Sequence, residues 1–274
     1  MNKELLIGVC ISIFIILGSC KTDELSNDEK IAQGKSFMLN EDYEKAIVEF
    51  NKILAASPGH CDAMLGIAIS KNSIQDHYGV LELNKTNIKR GCLRARYFFE
   101  VGLAFDNLNS KDSAVFYYNK TIELDSNYAA AVSNMANIYM GKGEFEKSII
   151  GFKRALEIDS AVFEPYSNLG LIYLELNQYE LALEQFDLSL KYCFSCEIPF
   201  YNRGLVYYNM GQREDALKDF KRSTEINANN DFVWLNMGLL NEELNNLEEA
   251  CANLKIARDL GNQEGLFYYN KFCL

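Results

Sequence analysis

Histidine and proline are scarce in this chain, whose 274 residues include 2 His and 3 Pro. The two histidines, His60 and His77, are far in the sequence from Cys193 and Cys196, which form the C-x-x-C pair of the chain. A structural zinc ion needs four ligands, so this spacing predicts no metal site. The sequence likewise predicts no cofactor.

Catalytic motifs are also missing. The chain has no G-x-S-x-G, no P-loop, no H-E-x-x-H and no nucleotide-binding fingerprint, the patterns that place a nucleophile, a phosphate-binding backbone or metal ligands at fixed spacing. The repeats described below occupy nearly all of the chain and leave no length for a catalytic domain. The sequence therefore predicts that the protein is not an enzyme.

Positive charge is in deficit, with 27 Lys and Arg against 38 Asp and Glu and a net charge of −11. An acidic surface repels nucleic acid and anionic lipid headgroups, so neither is an expected partner. The plainer reading is that the charge keeps the protein soluble. With 49% apolar residues the chain has ample material for an ordered core.

One apolar run lies near the amino terminus, from Leu5 to Leu17. It is too short for a comfortable membrane span and suits the core of a secretory signal. The run ends in Leu-Gly-Ser-Cys at residues 17–20, which resembles a bacterial lipobox. The resemblance implies that Cys20 Sγ receives a diacylglyceryl group and that residues 1–19 are removed as a signal peptide. An uncleaved signal anchor and an ordinary signal with a chance cysteine are the alternatives.

Residues 20–26 read as a short polar tether. Its basic residue followed by acidic ones resembles the surface-export signal of lipoproteins in the Bacteroidetes. Acyl chains anchor a protein stably when two or more are present, so we expect a membrane-tethered protein with a soluble body. The expected location is the cell envelope, as an outer membrane lipoprotein on either the periplasmic face or the cell surface.

A 34-residue period runs through the rest of the chain without insertion or deletion. The second repeat is degenerate, because it carries Lys71, Asn84 and Asn87 at positions where large apolar or small residues recur. Sequence drift, a distorted interface or a functional loop near residues 71–78 would each explain this. The seven predicted repeats are 27–60, 61–94, 95–128, 129–162, 163–196, 197–230 and 231–264.

Small and aromatic residues recur at fixed positions of this period. Position 8 is always Gly or Ala, namely Gly34, Ala68, Gly102, Ala136, Gly170, Gly204 and Gly238. Position 24 is mostly aromatic, namely Phe50, Asn84, Tyr118, Phe152, Phe186, Phe220 and Leu254. Small residues allow two helices to cross closely, and the large ones fill the space between neighbouring helices. The turn between the two helices carries Gly143, Gly211, Asn177 and Asn245, which tolerate positive φ.

This pattern resembles the tetratricopeptide repeat. The resemblance implies an all-α fold, an α-solenoid of about seven tandem helix-turn-helix repeats wound into a right-handed superhelix. Residues 265–274 are expected to form a short capping helix that covers the last interface, as terminal repeats require.

Six cysteines lie in the repeats and the cap. Cys61 and Cys92 stand at opposite ends of an antiparallel helix pair, so that their two ends are near one another and a disulfide is plausible. The C-x-x-C pair closes a helix rather than opening one, so it is read as a local disulfide or as free packing residues, not as a redox site. Cys251 and Cys273 are candidates to tie the cap to the last repeat.

The tetratricopeptide resemblance also places a concave groove on the first helices, at positions 2, 5, 6, 9, 12 and 13, here called the groove positions. Position 6 is asparagine in the last four repeats: Asn134, Asn168, Asn202 and Asn236. This resembles the asparagine ladder of O-linked N-acetylglucosamine transferase, in which each amide bonds the backbone of an extended peptide. An amide offers a donor and an acceptor in register with a peptide unit. The alternative is local hydrogen bonding within the repeats.

Apolar and aromatic residues of repeats 6 and 7 complete the predicted peptide-binding groove: Tyr201, Leu205, Tyr208, Phe232 and Leu235. Such a wall favours a helix or an extended segment of a partner protein. The first three repeats offer little comparable surface. Position 5 carries no basic residues in the last four repeats, so a C-terminal carboxylate is not the expected ligand.

The sequence therefore predicts a lipid-anchored adaptor or scaffold of the cell envelope that binds protein or peptide partners in its groove. The alternative is a permanent structural subunit, or a pilotin-like component, of an outer membrane assembly or uptake complex. Fold resemblance does not choose between them.

Overall fold

A computed structural model describes residues 25–87 and 91–274 of the chain. Within these ranges it contains fifteen α-helices and no β-strand, so the predicted all-α fold is confirmed. The predicted signal peptide and Cys20 lie outside the described residues. None of the helices described is long and apolar enough to cross a membrane.

The chain divides into two compact units, which meet in sequence between Leu124 and Asp125. The helices of the first unit are α1 Asn27–Leu39, α2 Tyr43–Ala56, α3 Cys61–Ser73, α4 His77–Asn87, α5 Ala95–Asn107 and α6 Lys111–Leu124. The helices of the second unit are α7 Ala129–Gly141, α8 Phe145–Ile158, α9 Glu164–Glu175, α10 Tyr179–Tyr192, α11 Glu197–Asn209, α12 Arg213–Ile226, α13 Asp231–Glu243, α14 Leu247–Asp259 and α15 Gln263–Cys273.

Each unit is a stack of antiparallel helix pairs, in which every helix packs on the next one along the chain. First helices also contact the first helix of the following pair within a unit, as α1 does with α3 and α9 with α11. This is the arrangement of a tetratricopeptide-like solenoid, in which one pair alone cannot bury its apolar surface.

The turn inside each pair repeats in backbone conformation. Position 15 has a positive φ in every pair, at Glu41, Gln75, Asn109, Gly143, Asn177, Gly211 and Asn245. The turn predicted from the Gly and Asn residues is therefore confirmed. It also forms at Glu41 and Gln75, whose side chains give no such signal. The packing of the two helices of each pair imposes this conformation on the turn even where the residue type does not favour a positive φ.

The small residue at position 8 makes room for the large one at position 24 of the same pair. A Cβ built on Gly170 would come within 2.7 Å of the Phe186 ring, and one on Gly102 within 2.6 Å of the Tyr118 ring. Both rings are fully buried. In the pairs with glycine at position 8, the predicted close crossing is thus a contact between backbone and ring, and an added Cβ would require the ring to move.

Polar groups replace part of this interior in the second pair. Asn84 stands at position 24, is 4% exposed, and donates from Nδ2 to the Tyr117 hydroxyl at 2.6 Å. Asn87 bonds both backbone groups of Cys92, at 3.0 and 3.1 Å. Among the described atoms, Asn84 Oδ1 and the hydroxyls of Ser70 and Tyr97 are buried without a hydrogen-bond partner. The degenerate repeat therefore still forms two helices, with a polar interior.

Three disulfides link the six cysteines: Cys61–Cys92, Cys193–Cys196 and Cys251–Cys273, with Cα atoms 5.4, 5.5 and 5.6 Å apart. The first joins the start of α3 to the segment that precedes α5. The second closes the turn between α10 and α11. The third fastens α15 to α14.

The last helix, α15, begins two residues before the predicted cap. Asn262 precedes it, and Asn262 Oδ1 accepts from the backbone N–H of Gly265 at 2.8 Å. This side chain satisfies a donor of the first turn, so that the helix starts at Gln263.

Candidate functional site

The four predicted asparagines lie on the first helices of the second unit, one each on α7, α9, α11 and α13. Asn168 Nδ2 donates to Asn137 Oδ1 at 2.7 Å, which joins two first helices. Asn137 occupies position 9 and was not predicted. Among the described residues neither amide makes another side-chain hydrogen bond, so one carbonyl and one amino group remain available. We call Asn134, Asn137, Asn168, Asn202 and Asn236 the amide row.

Asn236 uses its amide differently. Its Nδ2 donates to the Tyr201 hydroxyl and to the Phe232 carbonyl, both at 3.0 Å. Both amino hydrogens are therefore occupied, and Asn236 has only its carbonyl oxygen to offer a ligand. Burial raises the pKa of Tyr201, although the bond from Asn236 opposes this, so the hydroxyl is neutral and able to donate.

Asn202 and Asn134 complete the row. Asn202 is 6% exposed and has no hydrogen bond to another described side chain. Asn134 lines a pocket of about 340 Å³ with Ser133, Asn137 and the acidic residues Asp159 and Glu164. The rest of its lining is apolar and comprises Ala129, Ala130, Ala155, Val162 and Pro165, so the pocket suits a ligand that offers both hydrogen-bonding and apolar groups.

The predicted apolar wall is only partly on the surface. Phe232 is 57% exposed, and Leu205 and Tyr208 are half-buried beside a small cavity of about 70 Å³ that Asn236 also lines. Leu235, in contrast, is 4% exposed and packs against Leu254 and Ala257 in the interior. The prediction that Leu235 faces a ligand was wrong, because its side chain fills the space between α13 and α14.

Tyr208 belongs to a charged cluster that the sequence did not reveal. Its hydroxyl donates to Glu243, and the Arg213 guanidinium lies 4.8 Å from the centre of its ring. Arg213 Nε also donates to Glu243 at 3.1 Å. The hydrogen bond to Glu243 raises the pKa of Tyr208, as burial also does. The cluster fixes the orientation of the aromatic ring at this end of the wall.

A further pocket of about 340 Å³ lies beside α12 and is rich in cations. Arg203 forms ion pairs there with Asp187 and Asp219, at 2.5 and 2.7 Å. Arg222 Nη1 forms an ion pair with Glu225 Oε2 at 2.9 Å. Burial disfavours the charge on Arg203, but the two aspartates outweigh it and raise the pKa. Arg203 and Arg222 are therefore neutralised by neighbouring carboxylates, and Lys218 and Lys221 complete the basic part of the lining.

The first unit carries a larger pocket, of about 460 Å³. Its lining comprises Lys35, Met38, Leu39, Tyr43, Phe50, Asp62, Leu65, Gly66, Ile69, Ser73 and Arg96, and we call it the N-terminal pocket. All but Tyr43 and Phe50 of these residues occupy groove positions on α1, α3 and α5. The prediction that the first three repeats offer little surface of this kind was therefore wrong. The signal was present in the sequence, but it is spread over three repeats.

Comparison with known proteins identifies the repeats. Residues 95–128, 128–193 and 199–230 match models of the tetratricopeptide repeat, which describe a structural repeat. A TPR repeat-containing protein of Methanocaldococcus jannaschii is 27% identical over 124 residues, which are 45% of this chain. That match spans 22% of the length of the curated relative.

Solved structures share the fold. The C-terminal part of a TPR repeat-containing protein from Cytophaga hutchinsonii has a TM-score of 0.67 at 14% identity, over 86% of this chain and 98% of that one. YrrB, described as a TPR protein with an unusual peptide-binding site, has a TM-score of 0.56 at 22% identity, over 68% of this chain and 97% of that one. At these identities the likeness concerns the fold.

Proposed function

We propose that the protein is a lipid-anchored adaptor of the cell envelope that holds an extended segment of a partner protein against the amide row. The observation that carries this proposal is the hydrogen bond between Asn168 and Asn137, which aligns two side-chain amides from neighbouring first helices.

The chemistry of this pair matches a peptide backbone. Once Asn168 has donated to Asn137, the pair retains one carbonyl acceptor and one amino donor, and a peptide unit offers the complementary N–H and C=O. Asn236 adds an acceptor, and Asn202 adds a nearly buried amide. Such contacts read the main chain and ignore side-chain identity, so one surface can serve several partners.

The tetratricopeptide repeats support the proposal, since a stack of helix pairs presents an extended surface without a catalytic centre. The described peptide-binding site of YrrB supports it by analogy of fold. The lipobox-like residues 17–20 and the polar tether support the anchor.

The adaptor function is tested by affinity purification from solubilised membranes, with crosslinking and quantitative identification of the partners. We expect several substoichiometric partners, and we expect the variant Asn168→Ala/Asn202→Ala to lose most of them. Asn270→Ala, an exposed amide on α15, serves as the matched control and should retain them. Equal recovery by the double variant would exclude the amide row as the binding surface. One stoichiometric partner would favour a permanent subunit of an assembly instead.

The anchor is tested by metabolic labelling with a palmitate analogue. The wild-type protein is expected to take up the label and to sediment with membranes. The variant Cys20→Ala should remain unlabelled and be released. If the variant were labelled as strongly as the wild type, the lipid would not be on Cys20.

A further inference from the structure

We propose that the N-terminal pocket is a second peptide-binding site, which takes a bulky apolar side chain flanked by side-chain carboxylates. This inference rests on the proposed protein-binding function and adds a separate site and a ligand class to it. All of the pocket residues belong to the first unit, whereas the amide row belongs to the second.

The floor of the pocket is apolar. Met38, Leu65 and Ile69 are half-buried there, and Leu39 at its edge is 86% exposed. Gly66 stands at position 6, where the second unit has asparagine, and a Cβ on it would meet the Phe50 ring at 2.3 Å. The ring therefore excludes an amide from this position, and the site lacks the group that would bond a peptide backbone. Recognition here has to come from side chains of the ligand.

Two cations lie on the rim. Lys35 and Arg96 are exposed, and neither pairs with a carboxylate within 4.0 Å among residues 25–87 and 91–274. The only carboxylate in the lining, Asp62, already bonds Arg94 through both of its oxygens. The rim is therefore positive in a protein whose net charge is −11. This charge complements an acidic ligand and disfavours a basic one.

The nearest buried acid does not cancel this charge. Glu100 lies one turn after Arg96 on α5, is 7% exposed, and accepts from Asn72 Nδ2 at 2.9 Å. Burial raises the pKa of Glu100, and the bond from Asn72 and the charge of Arg96 only partly oppose this. The Glu100 carboxyl is buried and accepts a hydrogen bond from Asn72. Within the described part of the chain Arg96 forms no ion pair with it, and its charge remains exposed on the rim.

A peptide segment fits the pocket better than a free amphiphile. A cavity of about 460 Å³ is large enough for one or two apolar side chains. Its walls are side chains of three successive first helices together with Tyr43 and Phe50 of α2, and the exposed Leu39 lies at the edge. A chain can therefore pass over the pocket while one side chain enters it. An acyl chain would instead need an enclosed tunnel to bury its surface.

The test is a selection of random peptides, displayed as internal segments on phage, against the full mature chain. Selected peptides are expected to be enriched in Asp and Glu next to Leu, Ile, Met or Phe. Their binding to Lys35→Glu/Arg96→Glu is expected to be weaker by about tenfold or more, because two attractions become repulsions. Binding should also weaken as salt is raised, since the rim is exposed. Leu39→Ser, at a position too exposed to disturb the fold, should weaken binding by about fivefold.

The matched control is Lys45→Glu/Lys85→Glu, which makes the same change in net charge at exposed positions of α2 and α4 outside the pocket. It should bind the selected peptides like the wild type, and circular dichroism should show all variants folded. Peptides without acidic enrichment, or peptides that bind both charge variants equally, would overturn the inference. If such peptides lost affinity for Asn168→Ala/Asn202→Ala instead, the adaptor function would stand without this pocket. If no peptide were selected, the pocket proposal would fall, whereas the adaptor function would still be decided by the recovery of partners from membranes.

Discussion

The two units are both stacks of helix pairs, but the residues that fill their interiors differ. The second unit has a large apolar side chain at position 24 of every pair, and each is at most 1% exposed. The first unit has Asn84 at that position of its middle pair, where its amide donates to the Tyr117 hydroxyl, and the hydroxyls of Ser70 and Tyr97 are also buried in this unit. A repeat can thus exchange apolar volume for hydrogen bonds and keep its two helices, provided that its neighbours still cover both faces.

The surfaces differ in the same way. On the second unit, position 6 supplies amides, and two of them bond to side chains of the preceding first helix. On the first unit, the corresponding residues include Gly66, which lines an apolar pocket with a basic rim, and the buried Glu100. The comparison shows that one backbone period supports two surfaces of different chemistry.

The largest expected effect comes from position 24 itself. Phe186→Ala removes a fully buried ring against Gly170 and should lower the free energy of unfolding by about 3–5 kcal/mol. Asn84→Ala, the equivalent change in the first unit, removes one hydrogen bond and should cost about 1 kcal/mol. Urea denaturation followed by circular dichroism measures both. Equal losses would mean that the two interiors do not differ in how they stabilise the fold.

A smaller effect is expected at the polar interior of the first unit. Tyr117→Phe leaves the Asn84 amide without its partner and should cost about 1–2 kcal/mol by the same measurement. Combining it with Asn84→Leu replaces both partners by apolar groups and should restore the wild-type stability or exceed it. A double variant that is less stable than Tyr117→Phe alone would show that the polar pair is preferred to an apolar one here.

The smallest expected effect is on the pH dependence of the free energy of unfolding, and it comes from Glu100 at position 6. Because burial raises the pKa of Glu100, the folded state keeps this proton at pH values where the unfolded state has released it. The stability that Glu100 contributes is therefore complete below its unfolded pKa and is lost as pH rises through the folded pKa. Glu100→Gln should gain stability relative to the wild type over that rise. Asn202→Ala keeps Glu100, so its stability should differ from that of the wild type by the same amount at every pH. Parallel pH profiles of Glu100→Gln and wild type would contradict the assignment.

The fold was predictable because its information is local and periodic. Glycine or alanine at position 8 and a large residue at position 24 recur at a spacing that only stacked helix pairs satisfy, and the helices begin at residues 27, 61, 95, 129, 164, 197 and 231. The amides of the row were also visible, since they recur at one position. The signal peptide, the lipid on Cys20 and the cellular location stay predictions.

The sites were less predictable because they depend on several repeats at once. The groove positions placed Leu235 on the wall of the predicted peptide-binding groove, but its side chain packs against Leu254 from the next helix. It gave no reason to single out Asn137, whose importance comes from a bond to Asn168 across 31 residues. It overlooked the N-terminal pocket, whose residues come from three first helices and, for Tyr43 and Phe50, from α2.

By itself the sequence determined the helix pairs, their turns and the rows of residues that face one another, because a 34-residue period fixes which positions are buried in every copy. Only the tertiary structure decided which polar groups are already bonded and which remain for a ligand. Hydrogen bonds and pockets depend on side-chain distances between neighbouring pairs, and two copies with the same pattern differ when a single neighbour changes. Gly66 and Asn202 stand at the same position, yet one underlies an apolar pocket and the other lies in a row of amides.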